Sequence, residues 1–241
     1  MRSSSHVPRK RFGQHFLHDP RVLERIVSVL SLDPSDFVLE IGPGEGALTR
    51  LLLEKTNNLE AIEIDRDLAA RLKEQGVKVH VADALDFDYS TLPRGARVVG
   101  NLPYNISTPL LFRIAPYAER MRDLHFMLQL EVVERMVAAH STPQYGRLSV
   151  ALQARFEIEK LFNVSKGAFR PPPKVESAVV RLVPRKEILR IDEDLLRRAF
   201  SARRKTLKNA LPGVDFQRLG IDPGLRPENL SPDDYARISA G

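Results

Sequence analysis

The sequence predicts an α/β domain on a mostly parallel sheet, followed by a small helical unit, and three observations carry that prediction. Near-continuous apolar runs recur at FVLEI (37–41), LEAIEI (59–64), VKVHV (77–81), ARVVG (96–100) and LHFMLQ (124–129), as strands covered on both faces require. Helix-forming segments such as Asp67–Gln75 and Thr108–Tyr117 separate them at spacings that suit right-handed βαβ crossovers. After Pro184 the strand signal ends, and charged, helical-looking sequence follows.

Taken in order, residues 1–18 form a basic, polar segment ending in FGQHFL. Asp19 and Pro20 read as the N-cap and first position of a helix, with Val22, Leu23, Ile26, Val27 and Leu30 at helical spacing. The five strands follow. A helix near Leu148–Ala154 then precedes two strands, around Ile158–Val164 and Val175–Val183, joined by the loop SKGAFRPPPK. That junction has no room for a crossover helix, so the final strand is expected to run antiparallel. The stretch from Arg185 to Gly213 reads as helical, with Ala199, Phe200, Leu207 and Ala210 on the packed side and Arg204, Lys205 and Lys208 facing out. The divisions are therefore 1–18, a larger α/β domain 19–184, and a helical unit 185–241, with a linker near 184–190.

Composition narrows the chemistry. With 241 residues, 43% hydrophobic and 28% charged, the chain can fill a sizeable core. The absence of cysteine excludes disulfides, thiolate zinc sites and thiol nucleophiles, and no metal site is expected. A net charge of +6 permits a polyanionic partner without requiring one. No apolar span of about 20 residues occurs, nor an apolar run after the basic N-terminus. The expectation is a cytosolic protein with no membrane partner.

Strand 37–41 runs into GPGEGALT, so Gly42, Gly44 and Gly46 alternate before a helix. Such a loop turns sharply and brings backbone N–H groups to a ligand at the helix N-terminus. Its GxGxG spacing fits neither the strict dinucleotide fingerprint nor a P-loop, and a purely structural turn is the alternative. Glu63 ends the second strand, where a carboxylate can accept hydrogen bonds from a ribose diol. Asp65 reads instead as the cap of the next helix. Asp83, after the third strand, can accept from an adenine amino group. Together these residues describe an adenosine moiety lying across the strand ends.

After the fourth strand comes Asn101-Leu102-Pro103-Tyr104. An amide and a neighbouring carbonyl can accept both protons of an exocyclic amine, and the tyrosine ring can stack on a planar base. Phe169, in the proline-rich loop, is a candidate for the opposite face of a base clamp, with a buried core phenylalanine as the alternative. Lys174 can neutralise phosphate or be solvated surface.

These residues resemble the class I S-adenosylmethionine-dependent methyltransferases, a Rossmann-like fold with a mostly parallel seven-stranded sheet. The match is closer to the bacterial small-subunit ribosomal RNA adenine dimethyltransferases, through FGQHFL (12–17), EIGPGEGALT (40–49), EID (63–65), NLPYNIS (101–107), YGRLSV (145–150) and FRPPPKVESAVV (169–180). The resemblance implies S-adenosylmethionine as cofactor. It implies that Gln14, His15 and Leu17 cover the methionine part, Gly42 and Gly44 form the turn against it, and Glu63 binds the ribose. Ile64 would pack on the adenine, with Asp83 and the adjoining Ala84 at its amino edge. Asn101, beside both ligands, and the Leu102 carbonyl would receive the target adenine N6 between Tyr104 and Phe169. The implied product is N6,N6-dimethyladenosine at two adjacent adenosines in a hairpin loop near the 3′ end of 16S ribosomal RNA. The implied partner is the small ribosomal subunit, and a monomer is the family default. Arg9, Lys10, Arg11, Lys174, Arg204, Lys205 and Lys208 are the expected RNA contacts. The stretch after Pro184 is shorter than the resemblance leads one to expect.

Two readings compete. The large-subunit ribosomal RNA methyltransferases of macrolide resistance share the fold and clamp, although NLPYNIS, YGRLSV and FRPPPKVESAVV favour the small-subunit type. An RNA-binding ribosome-assembly factor is compatible with the same basic surfaces. A dinucleotide oxidoreductase fits the glycine spacing and the NLPY loop poorly.

Overall fold

The computed structural model describes residues 15–241. Its main sheet has the order β4-β3-β2-β5-β6-β9-β7, from β2 (Phe37–Ile41), β3 (Asn58–Glu63), β4 (Lys78–Val81), β5 (Ala96–Asn101), β6 (Met121–Gln129), β7 (Phe156–Val164) and β9 (Ser177–Pro184). Six strands run parallel, and β9 alone opposes them, inserted between β6 and β7. The expected antiparallel final strand is present, and its direction follows from the short return that links it to β7.

Both faces of the sheet are buried, and successive residues divide between them. Leu39, Val98, Phe126 and Val180 face α4 (Tyr104–Ile114), α5 (Leu130–Val137) and α6 (Arg147–Gln153). Their neighbours Val38, Val99, Met127 and Val179 face α1 (Pro20–Leu30) and α2 (Ala47–Leu53). This two-sided burial explains why the strands read as unbroken apolar runs. Asp19 caps α1 as expected, accepting from the N–H of Arg21 at 2.9 Å. Asp65 likewise caps α3 (Arg66–Glu74), accepting from Asp67 at 3.0 Å.

A buried ion network fixes the lower end of α1. Arg97 on β5 forks onto Asp123 on β6 (2.9 and 2.7 Å) and reaches Asp36 (2.9 Å). It also donates to the carbonyls of Leu30 and Ser31, which end α1. Such a planar donor fork suits several acceptors at once.

Three sequence expectations need correction. Helix α4 starts at Tyr104 rather than Thr108, with Pro109 inside it. Pro109 removes only the bond to the carbonyl of Asn105, an exposed residue that water can serve. The stretch 185–213 is not one helix. Residues 185–191 are not helical, and the N–H groups of Arg185 and Leu189 bond the carbonyls of Arg155 and Ala154. Helix α7 (Glu193–Ser201) then stops, and α8 (Leu207–Ala210) begins separately, because Leu207 donates to Leu225 across the unit at 2.7 Å. A last helix, α9 (Pro232–Ala240), is capped by Ser231 and closes the unit.

The C-terminal unit packs on α6. Its core of Leu196, Ala199, Leu207, Phe216 and Tyr235 includes Tyr145 and Val150 from the catalytic side, and the buried Tyr145 hydroxyl donates to the Leu230 carbonyl at 2.9 Å. Residues 184–190 are thus bonded chain rather than a free linker. Among the described residues no helix is long and apolar enough to cross a membrane.

Candidate active site

The carboxyl ends of β2, β3, β4 and β5 surround a cavity of about 330 Å³. Open α/β sheets bind ligands at this edge because the loops leaving the strands diverge there. The loop after β2 carries Gly42 and Gly44 at φ +67° and +58°, a region L side chains rarely adopt. A Cβ on Gly44 would lie 2.9 Å from the ring of Phe16. The bare backbone therefore lets β1 (Phe16–Leu17) lie directly over the loop.

Glu63 joins the loop to the neighbouring strand. Its carboxylate accepts from the N–H of Gly44 at 3.1 Å and of Asp65 at 2.9 Å. Burial pushes its pKa up, while those backbone donors pull it back. Asp83 lines the same cavity and accepts from the N–H of Leu85 at 2.9 Å. Between these acids Ile64 is 42% exposed on the rim, and Ala84 is buried beside them. Two acidic acceptors flanking an apolar rim, next to side-chain-free backbone, fit a cofactor with a ribose diol and a planar base.

Asn101, Leu102, Pro103 and Tyr104 form the adjoining wall. Leu102 is fixed by its N–H to the Met127 carbonyl at 3.2 Å. The Asn101 Nδ2 donates to the His15 carbonyl at 2.9 Å, and the Tyr104 ring stacks on the His15 imidazole at 5.6 Å between centroids. His15 and Leu17 line the cavity alongside the glycine loop.

The structure thus brings His15, Leu17, Gly42, Gly44, Glu63, Ile64, Asp83, Ala84, Asn101, Leu102 and Tyr104 to one cavity. Phe169 is the exception. It is 1% exposed and sits in the core with α1, because β8 (Phe169–Arg170) pairs antiparallel with β1 and sets Phe169 opposite Leu17. Alternation along β8 turns Arg170 outward and Phe169 inward. The ring facing Tyr104 here is His15. Lys174, Arg204, Lys205 and Lys208 are exposed, the last three on or just before α8. Gln14, Arg9, Lys10 and Arg11 lie outside the described residues.

Three contributors escaped the sequence reading. Glu40 is buried at the cavity, accepts from Thr49 Oγ1 at 2.7 Å, and has a pKa pushed up to about 7, chiefly by burial. A carboxylate inside the apolar run FVLEI was the available signal. Gly100 lies where a Cβ would meet the Ile41 carbonyl at 2.5 Å. Ser177 bonds the Tyr104 hydroxyl from a distant strand.

A seven-stranded sheet of this order, with a glycine loop, a ribose-competent acid and an NLPY wall, defines a class I S-adenosylmethionine-dependent methyltransferase. The family described as "Ribosomal RNA adenine dimethylase" matches residues 5–240. The chain belongs to that family.

It is 53% identical to "Ribosomal RNA small subunit methyltransferase A" of Thiobacillus denitrificans, with 98% of each chain covered. It is 51% identical to the protein of the same description in Chromobacterium violaceum, covering 98% of this chain and 96% of that one. Among solved structures, a dimethyladenosine transferase from Plasmodium falciparum superposes with a TM-score of 0.82 at 27% identity, covering 93% of this chain and 96% of that one. The 23S rRNA methyltransferase ErmE superposes with a TM-score of 0.71 at 28% identity, covering 93% and 98%.

Proposed function

We propose that this protein dimethylates N6 of two adjacent adenosines in the 3′-terminal hairpin loop of 16S ribosomal RNA during ribosome biogenesis, with the small subunit as its substrate. The observation that supports it best is the meeting of the glycine loop, Glu63, Asp83 and the NLPY wall in one cavity, in a chain of the ribosomal RNA adenine dimethylase family.

Glu63 and Asp83 would hold the cofactor's ribose and adenine, with Ile64 against the base and the Gly42–Gly44 backbone beside the methionine part. When bound, S-adenosylmethionine supplies a methyl group made electrophilic by its sulfonium charge. The protein's task is alignment. Adenine N6 is a weak nucleophile because its lone pair conjugates with the ring. Asn101 Oδ1 and the Leu102 carbonyl, accepting from N6–H, favour a pyramidal nitrogen and free that lone pair. Tyr104 holds the ring plane. A strong general base is unnecessary, since the proton can leave after transfer, and His15 is not assigned one.

The exposed cations at Lys174, Arg204, Lys205 and Lys208 would hold phosphate and set the subunit's orientation. A cytoplasmic monomer is the matching expectation. Nucleotide-resolved incorporation of labelled methyl groups into unmodified small and large subunits tests the proposal. Dimethyladenosine at adjacent small-subunit positions is expected. Incorporation into large-subunit RNA alone would select the ErmE-like reading, and binding to subunits without incorporation would select an assembly factor.

A further inference from the structure

A backbone carbonyl can only accept, so the side-chain amide of Asn101 must present its Nδ2 to the His15 carbonyl, 2.9 Å away. The amide is planar, and its Oδ1 is therefore turned away from the His15 carbonyl. Without that bond the amide is free to flip, and a flipped amide offers the target amine a donor instead of an acceptor.

We propose that His15 is a positioning residue for methyl transfer, its carbonyl setting the Asn101 amide so that Oδ1 is the atom offered to adenine N6–H. The inference rests on the proposed reading of Asn101 as a contact of the target base. His15 is itself anchored on two sides. Its Nδ1–H donates to the Pro171 carbonyl at 2.8 Å, and its ring stacks on Tyr104. Phe16, the next residue, covers Gly44. The segment over the cofactor loop thus also completes the base site, and its placement governs turnover as well as cofactor affinity.

Asn101→Asp separates this role from simple hydrogen-bond acceptance. The variant keeps an acceptor for N6–H, but an ionised carboxylate repels the His15 carbonyl. Only the protonated acid can donate to that carbonyl and accept from N6–H, as the amide does. In single-turnover methyl transfer to small subunits at saturating cofactor, the variant-to-wild-type rate ratio should climb as pH falls from 8.5 to 6. The climb should approach tenfold per unit while the introduced carboxyl is mostly ionised. His15→Ala should lower the saturated rate about tenfold, and His15→Phe, which keeps the stack on Tyr104, should recover most of it.

Calorimetric S-adenosylmethionine affinity, measured alongside, separates lost binding from lost alignment. A ratio flat with pH, high or low, overturns the proposal, as does a wild-type rate for His15→Ala at saturating cofactor. If Asn101→Ala retains full transfer, the failure lies instead in the reading of Asn101 as a base contact.

Discussion

The hydroxyls of Tyr104 and Ser177 lie 2.7 Å apart across 73 positions of sequence. Ser177 is fully buried at the start of β9, so the tyrosine ring is pinned at its far end by the strand that alone runs against the sheet. Removing one such bond costs about 1 kcal/mol, or roughly fivefold in rate if it is felt in the transition state. Ser177→Ala should therefore slow single-turnover methylation about fivefold with cofactor affinity unchanged. Tyr104→Phe should match it, and the double variant should be no slower than either single one. Additive losses would show that the two hydroxyls act separately.

Gly44→Ala tests the contact between the glycine loop and β1. The new Cβ would meet the Phe16 ring at 2.9 Å, at a backbone φ of +58°. Backbone strain of this kind costs about 1–3 kcal/mol, and Phe16 must move from the cavity mouth. The expected outcome is at least tenfold weaker S-adenosylmethionine binding by calorimetry, together with a lower unfolding midpoint.

Glu40 gives a pH dependence whose sign is fixed. Burial raises its folded pKa to about 7, above the ordinary 4.5, so the folded state holds a proton that the unfolded state has released. Stability contributed by this group is full below about pH 4.5 and falls as pH rises toward 7. At about 1.4 kcal/mol per unit the loss is at most roughly 3 kcal/mol. Denaturant unfolding of Glu40→Gln should gain on the wild type between pH 5 and 8. A constant difference across that range would contradict the assignment.

Asp123 behaves in the opposite sense. Burial alone would raise its pKa, but the Arg97 guanidinium bonded to both of its oxygens, with the His125 imidazole 3.6 Å away, holds it at about 2. Its stabilising contribution is full above its ordinary pKa near 3.8 and is lost as pH falls from there toward 2. Asp123→Ala leaves Arg97 buried against one remaining carboxylate and should destabilise by about 3–5 kcal/mol at neutral pH. The difference from wild type should shrink through that acid window in urea melts.

Much of the site was legible because its residues sit at strand ends within short motifs. The apolar runs fixed five strands, the glycine loop and Glu63 marked one ligand edge, and NLPY marked the next. Capping chemistry at Asp19 and Asp65 is local, so sequence alone determined it. The sequence also determined the ligand class, since carboxylates, bare glycine backbone and an amide-tyrosine pair carry that chemistry wherever they meet.

Only the tertiary structure decided the rest, because those facts depend on contacts between residues distant in the chain. Pairing of β1 with β8 turned Phe169 inward and put His15 against Tyr104. The Leu207–Leu225 bond split an apparent helix in two. The insertion of β9 brought Ser177 to the hydroxyl of Tyr104. Periodicity reports which face of an element is apolar; it carries no information about which distant backbone group will satisfy a given donor.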